Sequence, residues 1–187
     1  MQIFISGGCK NGKSTYAERA AKFLSGSGPL YYIATMDAGD KEDEERVKRH
    51  QKSREGMGFL TIEQYRDIEN ILTQCNANGA FLLDSLTALL ANEMFSKDGS
   101  YDSDAEKRAI KGLSKILDEI PKIVVVSDYI YNDAALYDPL TKAYRKSLAT
   151  LDRFVATKCN VVLEATYTQI IVHKGRDIFR EVQNAIY

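Results

Sequence analysis

Apolar positions in this chain fall into short, nearly continuous runs separated by longer stretches of helical period. The runs are Gln2–Ser6, Leu30–Ala34, Ala80–Asp84, Lys122–Ser127, Asn160–Glu164 and Thr168–His173. Stretches such as FLLD and KIVVVS do not alternate apolar with polar. That pattern predicts strands buried on both faces of a parallel sheet. Helices are predicted between them. One runs from about Lys13 to Leu24. A second starts at a capping box, Ser103-x-x-Glu106, carries the stripe Ile110, Leu113, Leu117 and Ile120, and stops at Pro121. A third starts at Asp138-Pro139, a cap followed by proline at the first helical position. Its stripe is Leu140, Tyr144, Leu148, Leu151 and Val155. Strand–helix alternation implies right-handed crossovers and helices on both faces of the sheet. Only Ala165–Tyr167 separate the last two strands, too few residues for a crossover, so the final strand is predicted as an antiparallel edge.

The first strand leads directly into Gly7-Gly8-Cys9-Lys10-Asn11-Gly12-Lys13-Ser14, which matches G-x-x-x-x-G-K-[ST] between a strand and a helix. Glycines let the backbone N–H groups turn inward around phosphate, and the helix N-terminus adds partial positive charge. Lys13 is placed to reach the β- and γ-phosphates, and the Ser14 hydroxyl to ligate Mg²⁺. The fold class is therefore a three-layer, P-loop NTPase-like α/β fold with a mostly parallel sheet and an antiparallel edge strand. A nucleoside triphosphate is the expected ligand. A carboxylate for the metal is expected at the end of another strand, where Asp84 and Asp128 are the candidates; a turn or helix cap is the ordinary role for either.

Composition narrows the class further. The 187 residues suit one domain, 1–187, with about 174–187 as a C-terminal helical extension. The 25 basic and 26 acidic residues give a net charge of −1, which argues against a strongly basic nucleic-acid binder. No run approaches the roughly 18–20 apolar residues of a membrane span. The opening MQIFIS lacks the basic region and long apolar core of a signal peptide. Cys9, Cys75 and Cys159 are odd in number and form no C-x-x-C pair, so a disulfide framework is not expected and a cytoplasmic location is.

Charge is nevertheless concentrated locally. DAGDKEDEERVKRHQKSREG, from Asp37 to Gly56, puts Asp40 and Glu42 to Glu45 first and Arg46, Lys48, Arg49, Lys52 and Arg54 later. That order favours the helix dipole, yet Val47 is nearly the only apolar residue. A helix polar all round is solvated or lies at an interface. Arg46, His50 and Arg54 are spaced i, i+4, i+8 and share a face. Two cations beside an imidazole favour its neutral form, a competent nucleophile or base. A solvated helix with an incidental histidine gives the same spacing. The other histidine, His173, closes the last strand and reads as structural or surface-exposed.

The order and spacing of ISGGCKNGKS, YIAT (Tyr32–Thr35), RVKRHQKSR (Arg46–Arg54) and LLDSLTALLAN (Leu82–Asn92) resemble the bifunctional adenosylcobinamide kinase / adenosylcobinamide-phosphate guanylyltransferases of cobalamin biosynthesis. The resemblance implies a kinase step on the aminopropanol hydroxyl of adenosylcobinamide, from ATP or GTP. It implies a second step that joins GMP from GTP to the resulting phosphate through a GMP–histidine intermediate, with His50 in the histidine position. By the same match, Gly7 to Ser14 hold the triphosphate, and Thr35, Met36, Asp37, Gln51, Lys52, Ser53, Arg54, Glu63 and Asp84 surround the nucleotide. Catalytic roles fall to His50 and Lys13, and metal ligation to Ser14 and Asp84. Mg²⁺, a corrinoid substrate and a homotrimer are implied too.

The second half departs from the family pattern. Asp128-Tyr129 replace an expected Asn-Glu, and IYNDAALYDP follows without the expected glycine. Arg145-Lys146, Ala149 and Asp152 stand where Arg-Asp, Gly and Asn are usual, and Ser85 stands for a common Cys. RDIFREVQNAIY adds an amphipathic helix past the usual end. These departures leave two alternatives open: a paralogue with one activity or another acceptor, and a nucleotide-binding protein without catalysis.

Overall fold

In the computed structural model, residues 1–37, 52, 54–131, 133–167 and 169–186 are described. Seven strands form one sheet: β1 (Gln2–Gly7), β2 (Leu30–Ala34), β3 (Leu60–Glu63), β4 (Ala80–Asp84), β5 (Ile123–Asp128), β6 (Val161–Thr166) and β7 (Gln169–Lys174). Their order is β3-β2-β4-β5-β1-β6-β7. Every pair is parallel except β6–β7, which forms the predicted antiparallel edge with a register shift at Val162/Leu163.

Pleating sends alternate residues of each strand to opposite faces. On one face Phe4, Tyr31, Ile33, Phe81, Leu83, Ile123 and Val125 pack against α3 (Leu86–Met94), α4 (Ala105–Glu119) and α5 (Pro139–Lys158). The short turn Ile68–Asn70 and α2 (Ile71–Gln74) join that layer through Ile68 and Ile71. On the other face Ile3, Ile5, Tyr32, Leu82, Val124 and Leu163 meet α1 (Lys13–Ser25) and α6 (Arg176–Ile186). The three-layer α/β fold predicted from the periodicity is the one observed. Among the described residues no helix is long and apolar enough to cross a membrane.

Local chemistry explains most boundaries. Asp138 caps α5, its Oδ1 accepting from the N–H groups of Leu140 and Thr141 at 2.9 and 3.0 Å. Pro139 occupies the first turn, as expected. The capping box at Ser103 does not form. Asp104 is the residue at the cap of α4 and its side chain accepts no capping bond. Asp102 instead takes the Asp104 N–H at 2.8 Å, which turns the chain one residue past the predicted start. Leu140, part of the predicted stripe of α5, is 47% exposed. It sits in the first turn, where residues 138–140 are all exposed. The C-terminal amphipathic helix is present as α6, with Phe179 and Val182 fully buried against the α1 side. β3, the Ile68–Asn70 turn, α2 and α3 have no counterpart among the predicted elements.

One buried carboxylate stands out in the α3–α5 layer. Asp152 is 4% exposed, and its Oδ2 accepts from the Tyr131 hydroxyl at 3.0 Å. Its Oδ1 is buried without a hydrogen-bond partner. Burial pushes its pKa up to about 6; the Ser127 and Tyr131 hydroxyls oppose this and the nearby Asp128 charge adds to it. A carboxyl that binds its proton more tightly when folded contributes its stability below the unfolded pKa of about 3.9 and loses it as pH rises through 6. Asp152→Asn keeps an acceptor for Tyr131 and removes the charge. We expect denaturation at pH 8 to show the variant more stable than wild type by up to about 3 kcal/mol, with the gap closing by pH 4. A gap independent of pH would show that the charge is not its cause.

Candidate functional site

Phosphate-binding geometry is built where the parallel strands end. Gly7, the last residue of β1, lies in register with Asp128 of β5 on one side and Ala165 of β6 on the other. Its carbonyl accepts from the Tyr129 N–H at 2.9 Å. A Cβ at Gly7 would collide with the Ala165 carbonyl oxygen, so only glycine fits this close approach. Gly12 caps α1 with φ 82°, in the left-handed region that glycine adopts without cost. The chain can therefore leave β1, circle through Cys9–Asn11 and enter α1 with Lys13 and Ser14 in the first turn.

Lys13 is 6% exposed. Its Nζ donates to the Gly8 carbonyl at 2.7 Å and forms an ion pair with Asp128 Oδ1 at 2.8 Å. A buried ammonium requires such partners. Asp128, one of the two candidates for the metal side, is thus engaged with the phosphate-loop lysine. Its own N–H donates to Thr87 Oγ1 at 3.0 Å. Asp84, the other candidate, ends β4 in register with Ala34 and Val126, and its Oδ2 accepts from the Tyr32 hydroxyl at 3.1 Å.

Of the remaining predicted nucleotide residues, Thr35 and Glu63 lie at the carboxyl ends of neighbouring parallel strands. Thr35 is fully buried just past β2. Its Oγ1 donates to the Ser85 carbonyl at 2.8 Å and accepts from the Ser85 N–H at 2.7 Å. These bonds tie β2 to the entrance of α3. Met36 follows, and Asp37 pairs with Lys97 at 2.7 Å. Glu63 ends β3 and accepts from the Tyr65 hydroxyl at 2.8 Å, which helps to push the Tyr65 pKa up to about 12 after desolvation. Lys52 is exposed. Arg54 is not solvated, as a polar helix face would be. It is 7% exposed, with its guanidinium 3.4 Å above the Tyr32 ring centroid. Arg46, His50, Gln51 and Ser53 lie outside the described residues.

Sequence inspection missed several residues that shape this edge. Asn92 donates to the carbonyls of Thr35 at 2.7 Å and Tyr65 at 3.2 Å, holding two strand-exit loops together. Thr87 bonds both Asp128 and, through its carbonyl, the Tyr144 hydroxyl at 2.8 Å. The only available signal was polarity inside an apolar helical run. Two open grooves flank this region. One, about 570 Å³, is lined by Asp37, Tyr65, Arg66, Asn92, Phe95 and Lys97. The other, about 540 Å³, is lined by Arg54, Glu55, Gly56, Gly58, Phe59 and Thr61.

A glycine-rich strand-to-helix loop at the carboxyl end of a parallel sheet defines a P-loop nucleotide-binding protein. Solved structures agree on the fold. A solved ATPase domain superposes with a TM-score of 0.52 at 11% identity, covering 94% of this chain and 77% of that one. A KaiC-like protein from Pyrococcus horikoshii gives 0.53 at 12%, covering 94% and 80%. Within that class, residues 3–168 match the cobinamide kinase / cobinamide phosphate guanyltransferase family, and the chain belongs to it. The bifunctional adenosylcobalamin biosynthesis protein CobP of Pseudomonas aeruginosa is 31% identical over 165 residues, 87% of this chain and 91% of that protein. CobU of Escherichia coli is 25% identical over 173 residues, 87% and 93%.

The loop also supplies its own reporter. Cys9 is exposed within it, whereas Cys159 is buried and Cys75 partly so. Bound triphosphate should slow Cys9 alkylation at least about fivefold, since occupancy divides the accessible fraction. Labelling followed by peptide mass mapping checks this, and an unchanged Cys9 rate at saturating nucleotide would contradict phosphate binding here.

Proposed function

We propose that this chain is the kinase and guanylyltransferase of its family, acting on adenosylcobinamide with ATP or GTP as phosphoryl donor. The observation that carries the proposal is the joining of a formed phosphate loop to the Lys13 and Asp84 sites at one sheet edge, in a chain of this family. In the kinase step the aminopropanol oxygen bonds to the γ-phosphorus, the nucleoside diphosphate leaves, and the hydroxyl proton passes to solvent. Lys13 offsets the charge of the phosphates.

In the transfer step a ring nitrogen of His50 bonds to the α-phosphorus of GTP and pyrophosphate leaves. A phosphate oxygen of the corrinoid then bonds to that phosphorus and frees the histidine. Two displacements replace one difficult condensation. Gly7, Gly8, Cys9, Lys10, Asn11, Gly12, Lys13 and Ser14 hold the triphosphate in this scheme. Thr35, Met36, Asp37, Gln51, Lys52, Ser53, Arg54, Glu63 and Asp84 surround the nucleotide.

The residues also fit Mg²⁺. Among the described residues no group of three or more His, Cys, Asp or Glu could form a protein cage for a metal. Mg²⁺ needs none, because one or two protein oxygens plus phosphates and water suffice. Ser14 and Asp84 are hard oxygen donors of that kind, and the ion would neutralise phosphate charge between them. A homotrimer in the cytoplasm completes the proposal, on the family resemblance.

Incubation with GTP labelled at the α-phosphorus and Mg²⁺ tests the nucleophile. Acid-labile GMP on wild type and none on His50→Ala is the expected result; equal labelling sinks the assignment. Lys13→Ala should lower nucleotide affinity at least about tenfold, the worth of a hydrogen bond to a charged group. Labelling without turnover of adenosylcobinamide would instead assign a different acceptor to the 128–152 region.

A further inference from the structure

Tyr32 joins two residues that the scheme above uses separately. Its hydroxyl donates to Asp84 Oδ2 at 3.1 Å, and its ring face carries the Arg54 guanidinium at 3.4 Å. Phe59 closes the ring edge at a centroid distance of 6.2 Å. Arg54 Nη1 is buried without a hydrogen bond and lies 4.0 Å from the Glu18 carboxylate of α1. The ring face and the Glu18 carboxylate both contact this buried cation. Arg54 also follows His50 by four residues in the chain. We propose that Tyr32 is a positioning residue that orients Asp84 for the metal–nucleotide complex and makes that orientation depend on the seating of Arg54.

The physical basis is a chain of three directional contacts. A cation over an aromatic face is held by the ring quadrupole and is worth more when desolvated, so Arg54 fixes the ring in place. The ring fixes the hydroxyl, and the hydroxyl fixes one carboxylate oxygen of Asp84. Arg54 stands at the head of this chain of contacts. How that residue sits is thereby transmitted to the metal side of the phosphate site. The inference rests on Asp84 being the metal-side carboxylate.

The test measures nucleotide affinity with and without divalent cation, and Mn²⁺ binding by EPR. Tyr32→Phe keeps the ring and the cation contact while deleting the hydroxyl. We expect affinity in EDTA to change less than about twofold and the gain on adding Mg²⁺ to fall about tenfold. The Mn²⁺ titration should weaken in parallel, with the protein still folded by its melting profile. Arg54→Lys should lose the same metal-dependent gain, and the double variant should be no worse than the more affected single one. A normal metal gain in Tyr32→Phe, or losses that multiply in the double variant, overturns the coupling. Asp84→Asn separates the two levels. If it retains the metal gain, the assignment of Asp84 fails and the inference with it. If it loses the gain while Tyr32→Phe keeps it, the inference fails alone.

Discussion

The position of β1 between β5 and β6 is the constraint on which the site depends. Both of its edges are hydrogen-bonded, and its last residue, Gly7, is packed against the Ala165 carbonyl. A strand held on both sides cannot drift in register without moving five other parallel strands. The loop that follows therefore starts from a fixed point. The Tyr129 N–H on the Gly7 carbonyl adds a second anchor from the exit of β5. Only the few residues between Gly7 and Gly12 separate that point from α1.

Around that fixed point, charged groups are arranged in pairs rather than left isolated. Lys13 meets Asp128, Asp84 meets the Tyr32 hydroxyl, and Asp37 meets Lys97. Asp128, Asp84 and Tyr32 lie on strands and Asp37 follows one, so the sheet register sets the separations of these four. Thr35 and Asn92 do similar work with neutral bonds, tying the exits of β2 and β3 to α3. The preorganisation of the edge is thus a property of the sheet as a whole. Asp152 lies one layer below, a buried carboxylate whose charge the fold tolerates poorly.

The central strands were legible in the sequence because burial on both faces makes them continuously apolar. The phosphate loop was legible because its chemistry is local. β3 was not, since LTIE is a four-residue edge strand with only Ile62 partly covered. It looks like loop until its pairing with β2 is known. α3 was hidden for the opposite reason: only Asp84 and Ser85 part the apolar run of β4 from that of LTALLANEM, and Ser85 caps the helix. The box at Ser103 misled because Asp102, one residue earlier, offers a competing turn. The contact of Arg54 with Tyr32 was not legible because helical spacing carries no information about a residue 22 positions earlier on β2. Contacts of that kind become visible only after folding.

The covering of α1 by α6 has a consequence for handling the protein. Phe179 and Val182 lie in the same apolar layer as Ala17, Ala20 and Ala21 of α1. The helix they brace is the one that opens with Lys13 and Ser14. The residues matched to the family stop at 168, so this brace lies beyond the matched region. Removing α6 would consequently bare the apolar back of the phosphate-binding helix, leaving Ala17, Ala20 and Ala21 without their cover.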